Sequence, residues 1–206
     1  MARETLNRQL RQIQDEVLLL GSMVEDAMWS AMNALQRRDI PEARMVFESD
    51  RNINDKRYAI ENAVLILIAT QQPMARDLRI MAAILEVTTE LERMGDYAKG
   101  IAKVVIRLGD TDIPIPMREL DQMAELGISM LHRALGAFIN ENASVASQIP
   151  LEDSQVDELY NRVYRILIST MIANPEIIDD VNLLLWVIHN LERLADPQRS
   201  LLDGAV

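Results

Sequence analysis

The chain has 206 residues, 49% of them hydrophobic, with no cysteine and a formal net charge of −11 at neutral pH. That length can bury a sizeable core, and the lack of thiols excludes disulfides and thiolate metal sites. The acidic balance argues against nucleic acid, which needs a basic footprint; it suits cations or a basic protein partner, with solubility as the plainer explanation. The charge is uneven, since residues 1–108 carry 15 basic and 16 acidic side chains and residues 109–206 carry 6 and 16. No apolar stretch of signal-peptide type surrounds Arg3, Glu4, Arg8 and Arg11. Apolar runs such as 63–69 are too short to span a bilayer, so the expected location is the cytoplasm.

Apolar residues recur at helical spacing nearly throughout, and no alternating strand pattern persists. The first expected helix runs from about Thr5 to Arg37, with Ile13, Val17, Leu20, Val24, Ala27, Met28, Ala31 and Leu35 on one stripe. The turn Arg38-Asp39-Ile40-Pro41 ends it, because proline disfavours helical geometry in the residue before it. A second helix is expected over about Glu42–Gln71, and a third from Pro73, a residue suited to a first helical turn, to about Leu108. The segment Gly109-Asp110-Thr111-Asp112-Ile113-Pro114-Ile115-Pro116 is the densest breaker signal, so the repeat boundary is placed there. Three more helices follow at about Met117–Ser144, Leu151–Ala173 and Glu176–Asp196. The expected fold is all-α, two antiparallel three-helix bundles side by side: residues 1–108, a linker over 109–116, and residues 117–206. With 4% aromatic residues the cores must be aliphatic and rich in the twelve methionines.

The chain repeats itself. Leu91-Glu92-Arg93-Met94-Gly95-Asp96 returns 100 residues later as Leu191-Glu192-Arg193-Leu194-Ala195-Asp196. Asp55 precedes Pro73 by 18 residues, as Asp157 precedes Pro175. Duplication of a helical unit explains both, and a duplicated acidic pair suggests a duplicated site.

Residues four apart on a helix share a face, so Glu92 projects with Asp96, Glu192 with Asp196, and Asp153 with Asp157. In the first half the nearest equivalent of the last pair is Asp50 with Asn54. Antiparallel packing would bring four oxygen-bearing side chains together in each half. Like charges at that spacing destabilise a helix unless offset. Two readings stay open: a bound cation such as magnesium, manganese, iron or zinc, or solvated acidic faces with surface ion pairs. Arg93 and Arg193 adjoin the pairs but do not share their face, so they are expected to serve a neighbouring helix or a partner.

Several enzyme classes are excluded by motif. His132 and His189 are preceded three residues earlier by Ser129 and Trp186, so no Glu-x-x-His pair of a di-metal oxidase exists. There is no H-E-x-x-H helix, phosphate loop or G-x-S-x-G elbow. Asp77 suits the first turn of the third helix, and Asp77 with Arg79 is the second-ranked reading, a contact surface for a partner. Trp29 and Trp186 read as core or interface anchors. His189, one turn from Glu192, reads as an exposed or structural side chain before a ligand.

The stretch Gln71-Gln72-Pro73-x-Ala75-x-Asp77-Leu78-Arg79, followed by Leu91-Glu92-Arg93-Met94-Gly95-Asp96, resembles the bacterial PhoU family. The run from Asn174-Pro175 to Asn190-Leu191-Glu192-Arg193-x-x-Asp196 is similar to that family's second repeat. The resemblance implies a cytoplasmic, commonly dimeric, non-enzymatic adaptor that represses phosphate uptake and the phosphate-starvation response. It would link the phosphate ABC transporter, through its ATPase subunit, to a sensor histidine kinase. It also implies a multinuclear iron or zinc cluster on E/D-x-x-x-D motifs, with Glu92, Asp96, Asp153, Asp157, Glu192 and Asp196 as ligands and Asp50 as a further one. Two departures stand out. Asn54 replaces the second acid of the Asp50 pair, and Pro197 biases Asp196 away from the helix where the family's last helix usually continues. A shortened last helix would expose apolar surface and favour dimerisation. The competing expectations are a metal-binding or metal-dependent enzyme built on the acidic sites, and a passive helical scaffold.

Overall fold

The computed structural model describes residues 2–140 and 153–195. Among these, six α-helices form: α1 (Ala2–Arg37), α2 (Ile40–Gln71), α3 (Ala75–Leu108), α4 (Met117–Ile139), α5 (Asp153–Ala173) and α6 (Ile178–Ala195), with a 3-10 turn at Pro175–Ile177 before α6. At 1.5 Å per residue α1 is about 54 Å long, which gives the body its elongation. Helices α1, α2 and α3 pack on one another, as do α4, α5 and α6, and the two sets meet where α3 packs on α6 and α1 on α4. One continuous apolar core results, including Leu20, Met28, Leu91, Met123, Leu184 and Leu191. No described helix is long and apolar enough to cross a membrane.

Local chemistry sets the helix ends. Arg38 adopts a left-handed conformation, φ 55°. The Asp39 and Arg38 N–H groups donate back to the Ala34 and Leu35 carbonyls, satisfying two otherwise orphaned acceptors. Asp39 then caps α2, its Oδ1 accepting from the Glu42 N–H at 2.8 Å. Ile40 and Pro41 therefore open α2 instead of lying in the turn that the sequence suggested; proline loses nothing at a first helical turn, where its missing N–H would be unpaired. For α3 the shift is opposite: Met74 is the capping residue and Pro73 stands just outside. Helix α4 runs to Ile139, with Asn140 bonded back to Gly136, and the expected end at Ser144 lies outside the described residues.

The repeat is visible in burial. The pattern of buried and exposed residues over 81–95 recurs position for position over 181–195. On the preceding helices Ile53, Ile60 and Val64 correspond to Val156, Val163 and Leu167, each 103 residues on. That register pairs Asn54, not Asp55, with Asp157, so the proline-based pairing is one residue off; Asp55 is exposed and lies 3.8 Å from Arg51. Glycine eases close helix approach at several places, Gly21 and Gly127 among them. A Cβ on Gly21 would run into the Leu135 side chain of α4, and one on Gly127 would meet Leu194 of α6 at 2.7 Å.

Candidate functional site

The acidic residues of the first repeat converge where the early part of α2 crosses the later part of α3. Gly95 permits the approach, since a Cβ there would lie 3.0 Å from Ile53 Cδ1. Asp50 is buried, only 5% exposed. Its Oδ2 accepts from Lys99 Nζ at 2.6 Å and from Asn54 Nδ2 at 3.2 Å, while its Oδ1 is buried without a hydrogen bond. Lys99 also lies 3.7 Å from Asp96 Oδ1 and over the Phe47 ring at 5.5 Å. Beside this, Arg57 donates from Nε to Glu61 at 2.9 Å and places Nη1 3.6 Å from Glu92 Oε2. Asp50, Asn54, Glu92 and Asp96 thus lie about one helix crossing, with the cations of Lys99 and Arg57 set among them.

Electrostatics follow from that packing. Burial pushes the Glu92 carboxyl above its usual range, the Asp96 and Asp50 carboxylates add to the shift, and Arg57 and Lys99 oppose it. The Lys99 ammonium is held above its ordinary value, first by its hydrogen bond to Asp50. Asp96 is exposed.

In the second repeat Asp157 is exposed and Glu192 half-buried. The Asp153 side chain and Asp196 lie outside the described residues, so half of the expected ligand set does too. The position matching Arg57 is Tyr160, whose hydroxyl is pushed up by burial and by the Glu192 carboxylate. His189 Nδ1 lies 3.5 Å from Glu192 and its ring meets Trp186 edge-on, with centroids 6.5 Å apart. The second repeat thus has an acid where the first has Asn54, and a phenol where the first has a guanidinium.

The proposed contact residues divide. Asp77 is 4% exposed and takes a bidentate pair from Arg3, with Nη1 to Oδ2 at 2.8 Å and Nη2 to Oδ1 at 3.3 Å. It fastens the start of α1 to the start of α3 and is not open to a partner. Arg79, Arg93 and Arg193 are exposed. Arg93 pairs with Glu90 on its own helix at 3.0 Å, not with a neighbouring helix. Trp29 and Trp186 are 38% and 59% exposed, so neither anchors the core. Sequence reasoning missed Lys99, though its place one turn after Asp96 put it on the acidic face. It also missed Arg57, and Arg38, whose guanidinium donates to the Thr111 and Ile113 carbonyls and pins the linker.

The metal cluster implied by the resemblance does not fit the first repeat. Divalent metals need carboxylate oxygens at roughly 2.0–2.6 Å around one point. Among the described residues no three His, Asp or Glu side chains converge in that way. At the centre of the first-repeat acids stands an ammonium, with an amide in place of the fourth acid.

The PhoU domain family matches residues 17–105 and 120–200, which takes in both acidic motifs and both helix triplets. The chain belongs to the PhoU family. The phosphate-specific transport system accessory protein PhoU homolog of Clostridium acetobutylicum is 31% identical over 207 aligned positions, covering 100% of this chain and 94% of that one. PhoU of Escherichia coli is 32% identical over 190 positions, 92% of this chain and 79% of that protein. The crystal structure of PhoU from Pseudomonas aeruginosa superposes with a TM-score of 0.89 at 30% identity, over 97% of this chain and 96% of that one. The phosphate transport system regulatory protein PhoU from Streptococcus pneumoniae gives 0.89 at 32%, over 98% and 95%. The paired three-helix architecture is that of the PhoU structures.

Proposed function

We propose that this protein is a cytoplasmic, non-enzymatic accessory regulator of phosphate uptake. It represses the phosphate-starvation response when phosphate is plentiful by coupling the phosphate ABC transporter, through its ATPase subunit, to a sensor histidine kinase. The observation that supports this reading is that the agreement with PhoU proteins runs through both repeats and nearly the whole chain, among relatives named as accessory proteins of phosphate-specific transport. The mechanism is a population shift: a partner that binds one arrangement of the helices better favours it. The two repeats share one core across α3 and α6, which gives such a shift a route between them. Arg79, Arg93 and Arg193 supply exposed cationic contacts. Leu65 and Ile66, 55% and 63% exposed on α2, favour a homodimer. A role for iron, zinc, magnesium or manganese is favoured in the second repeat by its sequence, which has an acid at 157 where the first repeat has Asn54.

The test is recovery of partners on the tagged full chain from cells grown in ample phosphate. The transporter ATPase subunit and the kinase are expected to co-purify, and the double charge reversal R93E/R193E is expected to weaken their recovery. Recovery of neither, under crosslinking as well, would contradict the adaptor role.

A further inference from the structure

We infer that Lys99 is the resident cation of the first-repeat acidic site. Its ammonium stands where a divalent metal would bridge Asp50 and Asp96, so this repeat closes without metal. Three features carry the inference. First, the Nζ lies 2.6 Å from Oδ2 of the buried Asp50 and 3.7 Å from the exposed Asp96, spanning α2 and α3. A metal within coordinating distance of Asp50 Oδ2 would collide with that ammonium and repel it. Second, the buried Asp50 Oδ1 makes no hydrogen bond, so Asp50 depends on Lys99 and on Asn54, both held at the other oxygen, for its compensation. Third, the ammonium is not a loose surface charge, because the Phe47 ring backs it at 5.5 Å and its side chain is two-thirds covered, at 33% exposure.

The consequence is that the first repeat carries a covalently tethered cation that links α2 to α3. None of this depends on the regulatory role, and it survives that role's failure.

The probe is Mn2+, measured by equilibrium dialysis and elemental analysis on the full chain. D157N/E192Q removes the described acids of the second repeat and serves as background. That background is expected to bind no manganese above a buffer control. Adding Lys99→Met, which leaves Asp50 and Asp96 facing the vacated position, is expected to raise manganese binding above the background, and adding Asp50→Asn is expected to abolish that rise. Two results would overturn the inference: manganese bound by the background and lost on Asp50→Asn with Lys99 intact, or a folded Lys99→Met variant that binds no more manganese than the background. The first of these needs no change at Lys99, so it remains decisive if Lys99→Met does not fold.

Discussion

Replacing Lys99 with methionine removes the ammonium and keeps most of the side-chain volume. Asp50, 5% exposed, would then hold a buried carboxylate with Asn54 as its remaining side-chain donor. Removing one partner of a fully buried ion pair costs about 3–5 kcal/mol, and an exposed pair is worth about 0–1 kcal/mol. Lys99 lies between these limits at 33% side-chain exposure, so the expected loss is about 2 kcal/mol. For a chain of this size that is a fall in Tm of about 4–8 °C. The double variant K99M/D50N removes both charges and should recover at least half of the loss. Urea and thermal unfolding of the wild type, both single variants and the double variant give the coupling. The Lys99 pKa is higher in the folded chain than its ordinary 10.5, so the folded state holds this proton more tightly. Its contribution is complete below pH 10.5 and is lost as pH rises through the raised value. The stability gap between wild type and K99M should therefore be flat across neutral pH and close only in strong alkali. A Lys99→Met loss below about 0.5 kcal/mol, or no recovery in the double variant, would refute the reasoning.

Arg3→Ala strands the buried Asp77 and should cost about 1–3 kcal/mol, with faster amide exchange confined to the first turns of α1 and α3; uniform exchange changes would count against a local fastening. Arg38→Ala frees the Thr111 and Ile113 carbonyls and should cost about 1–2 kcal/mol, while a loss within measurement error would mean that the linker is held otherwise. Glu92→Gln should stabilise the chain at neutral pH. The Glu92 pKa is raised on folding, so its ionised form opposes folding above the raised value, and the gain should fade as pH drops through it. An E92Q protein less stable than wild type at neutral pH would show that the attraction of Arg57 outweighs burial and like charge.

Much of the fold could be read from the chain because its information is periodic. Apolar spacing marked each described α-helix, and the Leu-Glu-Arg echo marked a repeat whose burial pattern matches over 81–95 and 181–195. Boundaries were less legible where capping decided them: Asp39 moved Pro41 into α2, and Met74 left Pro73 outside α3. The acidic faces were legible from four-residue spacing, but their partners were not. Lys99 reaches Asp50 across 49 residues and Arg3 reaches Asp77 across 74, and such long-range pairing leaves no local periodic trace. Asp77 illustrates the difficulty, because an acidic first-turn residue fits the helix dipole equally well whether it faces water or an arginine.

The most direct test of the regulatory account is a phosphate-starvation reporter in the source organism grown with ample phosphate. Deleting this gene should raise reporter activity, and restoring the intact gene should return it to the repressed level. An unchanged reporter in the deletion strain would contradict the account.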